Sequence, residues 1–140
     1  IYEATEPSDL LAEAFARLLP QLSERMTAPD REAVARIVAS PATRQLVAAA
    51  EDGRIVGLLS VALYDVPSGR KAWIEDVVVD AATRGRGIGE ALVREALALA
   101  RREGVARVML TSNATRRASH RLYERMGFVR YETDCFRLDL

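Results

Sequence analysis

The sequence has one cysteine, Cys135, and one histidine, His120, and each scarcity excludes chemistry. A lone cysteine forms no intrachain disulfide and no Cys-rich metal site, and no grouping of His, Asp and Glu has metal-ligand spacing, so no metal is expected. No apolar run approaches the roughly 18 uncharged residues of a membrane span, and the N-terminus lacks the basic-then-apolar order of a signal peptide. These absences suit a cytoplasmic, reducing setting without membrane contact. Net charge is missing too: 20 basic residues balance 20 acidic ones, which leaves no global field to hold nucleic acid. Any anion site must therefore be local. Lysine is nearly absent, Lys71 being the exception among the basic residues, so anions that meet this chain meet forked, planar guanidinium groups.

What is present is an ordinary globular composition. At 140 residues and 49% hydrophobic content the chain reads as a single domain, residues 1–140, able to bury a real core. Ile1 to Thr5 is a short strand. Ser8 to Leu22 carries a helical stripe at Leu11, Phe15, Leu18, Leu19 and Leu22, with Pro20 predicting a kink or an early end. Thr27, ahead of Pro29 and Asp30, reads as the N-cap of a second helix that Ser40-Pro41 stops. Gln45 to Glu51 and Arg54 to Tyr64 form a hairpin about Asp52-Gly53, and a further turn at Val66 to Gly69 leads into a strand from Lys71 to Asp80. Its Val77-Val78-Val79 run is apolar on both faces, as a strand covered on both sides should be. A helix from Ile88 stopped by Gly104, a strand over Val105 to Thr111, a helix over Arg116 to Met126 and one or two closing strands in Phe128 to Leu140 complete the order. The class is α/β, with a mixed, largely antiparallel central sheet flanked by about four helices.

Between the valine strand and the third helix lies Arg84-Gly85-Arg86-Gly87-Ile88-Gly89-Glu90. A strand that ends in a glycine-rich turn and restarts as a helix gathers free backbone N–H groups and a helix dipole at one point, which favours an anion such as a pyrophosphate. The dinucleotide fingerprint does not fit, because the sixth position is Glu90 and not glycine; a Walker loop does not fit, because no Gly-Lys followed by Ser or Thr occurs.

Three landmarks in order, Ile74-Glu75-Asp76-Val77-Val78-Val79, then Arg84 to Gly89, then Leu122-Tyr123-Glu124-Arg125-Met126-Gly127-Phe128, make the chain resemble the GCN5-related N-acetyltransferases (GNAT). Glu-Asp before the valines is most similar to the glucosamine-phosphate branch of that family. The resemblance implies the acyl-CoA N-acyltransferase fold and acetyl-CoA as cosubstrate. It implies that the amides of Arg84, Gly85, Arg86, Gly87, Ile88, Gly89 and Glu90 hold the pyrophosphate and that Val77, Val78 and Val79 line the pantetheine arm. A splayed strand also frees amides that pair with such an arm, and one near Val77 can polarise the thioester carbonyl. Tyr123 falls on the family's tyrosine, whose usual role, the resemblance implies, is to protonate or hydrogen-bond the departing thiolate. Where the family often has an asparagine seven residues before it, this chain has Arg116, with Asn113 nearby; both are candidate CoA contacts.

Glu75 and Asp76 are the candidate bases for the amine. Strand alternation predicts that they face opposite ways, so that one at most reaches the cleft. His120 reads as a surface or capping residue. The leading function is acetyl transfer to a small-molecule amine; the alternative is a non-catalytic acyl-CoA sensor or interaction domain. The acceptor stays open among amino sugar, aminoglycoside, polyamine and protein amine, and the closing strands suggest a homodimer.

Overall fold

The computed structural model describes residues 1–140. Strands β1 (Tyr2–Ala4), β2 (Thr43–Ala49), β3 (Ile55–Val66), β4 (Gly69–Val79) and β5 (Val108–Leu110) form one sheet in the order β1-β2-β3-β4-β5. All neighbours are antiparallel except β4 and β5. Helices α1 (Asp9–Leu22), α2 (Arg31–Ala39), α3 (Ile88–Arg102) and α4 (Arg117–Arg125) surround it. No helix is long and apolar enough to cross a membrane.

Local chemistry sets the helix starts. Ser8 caps α1, its hydroxyl accepting from the Leu11 N–H at 3.1 Å. Asp30, and not Thr27, caps α2, its carboxylate accepting from the Ala33 N–H at 2.8 Å; an ionised acceptor one residue from the helix outcompetes a hydroxyl three residues earlier. Pro20 does not end α1, which runs on to Leu22, because a proline this near the C-terminus disturbs only the last turn.

Two apolar layers sandwich the sheet. One side packs Leu11, Phe15, Leu18 and Val34 of α1 and α2 on Val47, Leu58 and Val78; the other packs Leu92, Val93, Ala96 and Leu99 of α3 on Leu59, Val61, Ala72 and Ile74. Gly57 in β3 lets α3 come close, since a Cβ there would meet Leu92 Cδ1 at 3.0 Å.

The core pattern along β4 changes side at one place. Ala72 and Ile74 face α3, whereas Val78, of the same parity, faces α1 and α2. The cause is a bulge: Ser60 pairs with Glu75 and Leu58 with Val78, so that Asp76 and Val77 together oppose Leu59. Asp76 takes φ = 50° to make the turn, a left-handed conformation that aspartate tolerates better than a branched residue would. On its other edge β4 pairs with β5 only from Ala72 to Ile74. Beyond Ile74 the two strands part.

The expected closing strands are absent: residues 128–140 form no strand, and Val129, Phe136, Leu138 and Leu140 are exposed. Strand β5 offers an edge of only three residues, and the apolar alternation shifts parity between Tyr131 and Phe136, so no single face of the segment is continuously apolar.

After β4 the chain is pinned by Asp80. It is buried, its carboxylate accepting from Arg17 and from Arg54 (3.1 Å) and from the Ala82 N–H (3.1 Å), while Gln21 accepts from the Ala81 N–H at 2.8 Å. The backbone N–H of Ala82, the burial that opposes it and the two guanidinium groups together hold the carboxyl below its ordinary value. Stability from Asp80 is thus complete above the unfolded-state pKa of about 3.9 and is lost as pH falls through the lower folded value. Asp80→Asn should cost roughly 1–3 kcal/mol in urea denaturation at pH 7, and the gap to wild type should narrow as pH falls below the unfolded-state value; a gap that persists unchanged at low pH would show that charge is not its origin.

Candidate active site

The parting of β4 and β5 opens a cleft of about 780 Å³ floored by Val77, Val78 and Val79 and walled by the glycine loop and α4. The Asp80 N–H donates across to the Val56 carbonyl of β3 at 2.8 Å. Alternation along β4 then turns the peptide groups of Val79 and Val77 the other way, into the gap. The Val79 carbonyl already accepts there from Arg84 Nε at 3.2 Å. A ligand rich in amides can therefore lie along β4 as a substitute strand.

At the cleft's other side the loop turns through Gly85 and Gly87, at φ of 79° and 76°. Gly87 is the N-cap of α3, and no side chain caps this helix, unlike α1 and α2. Its first N–H groups and dipole are directed at a position an anion can take. Arg84, Gly85, Gly87, Ile88, Gly89 and Glu90 line the cleft; Arg86 does not, and faces the opposite side of the loop toward Ile1 and the β2–β3 turn. Alternation about Gly85 and Gly87 sends the two arginines apart.

A second, smaller cavity of about 240 Å³ adjoins the first and contains both Glu75 and Asp76. The expectation that these acids face opposite ways is corrected by the bulge: the left-handed Asp76 interrupts alternation and brings both carboxylates to one space. Burial raises the Glu75 pKa above its ordinary value and the charge on Asp76 adds to the rise; burial raises Asp76 as well. Two neighbouring acids, both with raised pKa values, thus stand at the edge of this cavity.

The two cavities share Leu22, Val77, Arg116, Ser119 and Tyr123. Ser119 and Tyr123, one helical turn apart on α4, stand at this junction while Leu122 and Met126 pack against the core; Ala118 lines the larger cleft. Tyr123 packs edge-on against Phe128, ring centroids 5.8 Å apart. Burial pushes its phenol above the ordinary value and the Arg116 charge pulls it partly back, so it stays protonated across the neutral range. Arg116 lines both cavities and donates to the Leu22 carbonyl at the end of α1. Asn113 lies only in the smaller cavity, its side-chain oxygen accepting from the Thr115 N–H at 3.0 Å, which ties it to the local turn. His120 lines neither cavity. Sequence reasoning missed Gln21 and Leu22, since nothing local connects the end of α1 with Arg116, 94 residues away. It also passed over Arg117, Arg121 and Arg125 in the cleft wall, although their four-residue spacing was visible.

Residues 8–128 match the model of the acetyltransferase (GNAT) family. The chain belongs to that family. Among its relatives, glucosamine 6-phosphate N-acetyltransferase of Trypanosoma brucei brucei is 40% identical over 91 residues, covering 63% of this chain and 59% of that enzyme. Glucosamine 6-phosphate N-acetyltransferase 1 of rice (Oryza sativa subsp. japonica) is 35% identical over 127 residues, covering 85% of this chain and 75% of its own length. A solved structure, a putative acetyltransferase from Agrobacterium tumefaciens, superposes over 100% of both chains with a TM-score of 0.82 and 28% identity. The mixed α/β architecture described above is the GNAT acetyltransferase fold.

The junction makes one measurable claim before any substrate is added. In a spectrophotometric titration, the absorbance change lost on Tyr123→Phe should have its midpoint above pH 10, and Arg116→Gln should move that midpoint up by removing the opposing charge. A midpoint unchanged in Arg116→Gln would separate the guanidinium from the phenol.

Proposed function

We propose that residues 1–140 act as a single N-acetyltransferase domain that moves an acetyl group from acetyl-CoA directly to a primary amine of a small molecule, an amino sugar being favoured. The observation that carries this reading is the meeting of two unlike cavities at Tyr123 and Val77. One has free strand amides and an anion-seeking helix start; the other has paired carboxylates. The trypanosome and rice relatives, named for glucosamine 6-phosphate, support an amino sugar as acceptor.

Each residue has a definite task in this scheme. The loop amides of Arg84, Gly85, Gly87, Ile88, Gly89 and Glu90 hold the pyrophosphate, and the peptide groups of Val77 and Val79 pair with the pantetheine amides. Glu75, with Asp76 beside it, takes the proton of the ammonium group. A lysine-like amine at pKa about 10.4 is otherwise almost wholly protonated at pH 7, a cost of roughly 4.6 kcal/mol. The freed nitrogen bonds to the thioester carbon as the Val77 N–H donates to the oxygen that gains charge, and the carbon–sulfur bond breaks. Tyr123 gives its proton to the departing sulfur, and the second proton of the attacking nitrogen, released as the amide forms, restores the phenol. For an ordinary phenol and thiol that transfer costs about 2 kcal/mol, and the raised Tyr123 pKa increases it, so the donor works by position more than by acidity. Arg116, which lines both cavities, contacts the cofactor arm from the start of α4, whereas Asn113, expected as a second contact, lines only the acceptor cavity. A homodimer fits the exposed apolar side chains of residues 129–140. A sensor that only binds acyl-CoA needs neither the phenol nor the acids, which is why catalysis is preferred.

With glucosamine 6-phosphate in an amine panel followed by CoA release, Tyr123→Phe should lower kcat at least tenfold while acetyl-CoA affinity, measured by calorimetry, changes little; wild-type turnover in that variant removes Tyr123 from the chemistry. The raised carboxylates give the pH dependence its sign: kcat/KM should rise with pH through the Glu75 value, as the base loses its proton. Glu75→Gln should lose at least tenfold at pH 7 and recover as pH approaches the amine's own pKa. A loss of equal size at every pH would make Glu75 structural.

A further inference from the structure

The smaller cavity differs from the larger one in size and in charge. At about 240 Å³ it lies below the roughly 300–1,000 Å³ of a site for a drug-sized ligand, so it takes a single small ring and not an extended molecule. Its charged lining is Glu75, Asp76 and Arg116. Neither acid is neutralised: burial acts on both and the charge on Asp76 acts on Glu75, while no cation lowers either pKa. Arg116 is engaged elsewhere, donating to the Leu22 carbonyl and drawing down the Tyr123 phenol. Arg117, Arg121 and Arg125 line only the larger cleft. What remains around the smaller cavity is neutral and forms hydrogen bonds. Thr111, Ser112 and Ser119 bring hydroxyls, and Asn113, whose side-chain oxygen is held by Thr115, keeps its amide nitrogen to donate.

We propose that this cavity selects an amino sugar without a phosphate group, glucosamine over glucosamine 6-phosphate, because it offers hydroxyl and amide partners to ring hydroxyls and no free guanidinium to a phosphate. The proposal rests on the acetyl-transfer reading above and deepens it by naming the charge class of the acceptor. It separates this chain from the trypanosome and rice relatives, which are named for glucosamine 6-phosphate. A phosphate monoester carries nearly two negative charges near neutral pH and is matched by guanidinium forks or by clustered backbone N–H groups. In a cavity this small its dianion would stand beside two carboxyl groups with no counter-charge to meet it. A free amino sugar brings one ammonium group and otherwise only hydroxyls. The ammonium group meets the acids, and the hydroxyls meet the residues that follow β5 and the first turn of α4.

The test is acetylation of glucosamine and of glucosamine 6-phosphate by the whole protein, followed as CoA release at saturating acetyl-CoA, with acetyl-CoA binding measured in parallel by calorimetry. Wild-type kcat/KM should be at least tenfold higher for glucosamine, and added salt should narrow the ratio because both acids are exposed. Asp76→Asn removes one charge and keeps a side chain that tolerates the left-handed backbone there. That variant should bring the ratio down to about threefold or less, whatever it does to turnover, and thermal denaturation confirms that it is folded. Equal use of the two sugars by wild type, a preference for the 6-phosphate, or a ratio kept by the folded variant overturns the charge selection and leaves the acetyl-transfer reading standing. Acetylation of neither sugar by a protein that binds acetyl-CoA overturns the amino-sugar acceptor and this proposal with it. No binding of acetyl-CoA overturns the acetyl-transfer reading as well.

Discussion

Two residues of β4 standing opposite one residue of β3 are the constraint on which the site depends. Asp76 and Val77 share the place across from Leu59, and the strand bends there just as its pairing with β5 stops at Ile74. Had β4 continued in regular pairing, its outer amides would be spent on β5 and no cleft would exist. The left-handed conformation at Asp76 costs on the order of 1 kcal/mol, which the packing of Ile74 before the bulge and Val78 after it offsets. The same bulge leaves Glu75 and Asp76 both lining the smaller cavity. One backbone irregularity therefore both frees strand amides along the larger cavity and sets two acidic residues beside the smaller one.

The second support is the polar pin at Asp80. It binds Arg17 of α1 and Arg54 ahead of β3, and it caps the turn that leads to the glycine loop. Gln21 adds a bond from α1 to the same turn. The loop that presents N–H groups to an anion is thus held from beneath by a buried carboxylate, while its upper surface stays open. Arg116 does the corresponding work across the cleft, tying the start of α4 to the end of α1 and placing a positive charge near the phenol.

Charge is distributed with the same economy. Most arginines of α2 and α3 are paired with acids on their own helix, whereas those of α4 are not. The larger cavity is consequently lined by arginines and the smaller one by two carboxylate residues, and the two adjoin at Tyr123.

How much of this was legible in the residues follows from the range of the interactions involved. Helix stripes, hairpin turns, the glycine segment and the Leu122 to Phe128 stretch were readable, because periodicity, caps and turn chemistry act over a few neighbours; so were the valine floor, the loop and the place of Tyr123 on α4. The N-cap at Asp30, the continuation through Pro20 and the missing closing strands were not, since each depends on a competing acceptor or on an edge to pair with. Opposite orientations for Glu75 and Asp76 followed correctly from regular alternation, and regular alternation is what the bulge breaks. No local signal in Gln21, Leu22 or Asp80 announces partners tens of residues away. The sequence by itself determined which residues can bind an anion, donate a proton or accept one, because those are properties of side chains and short backbone motifs. The tertiary structure alone decided which of them meet, because a bulge, a parted strand pair and a buried ion pair exist only once distant segments have packed.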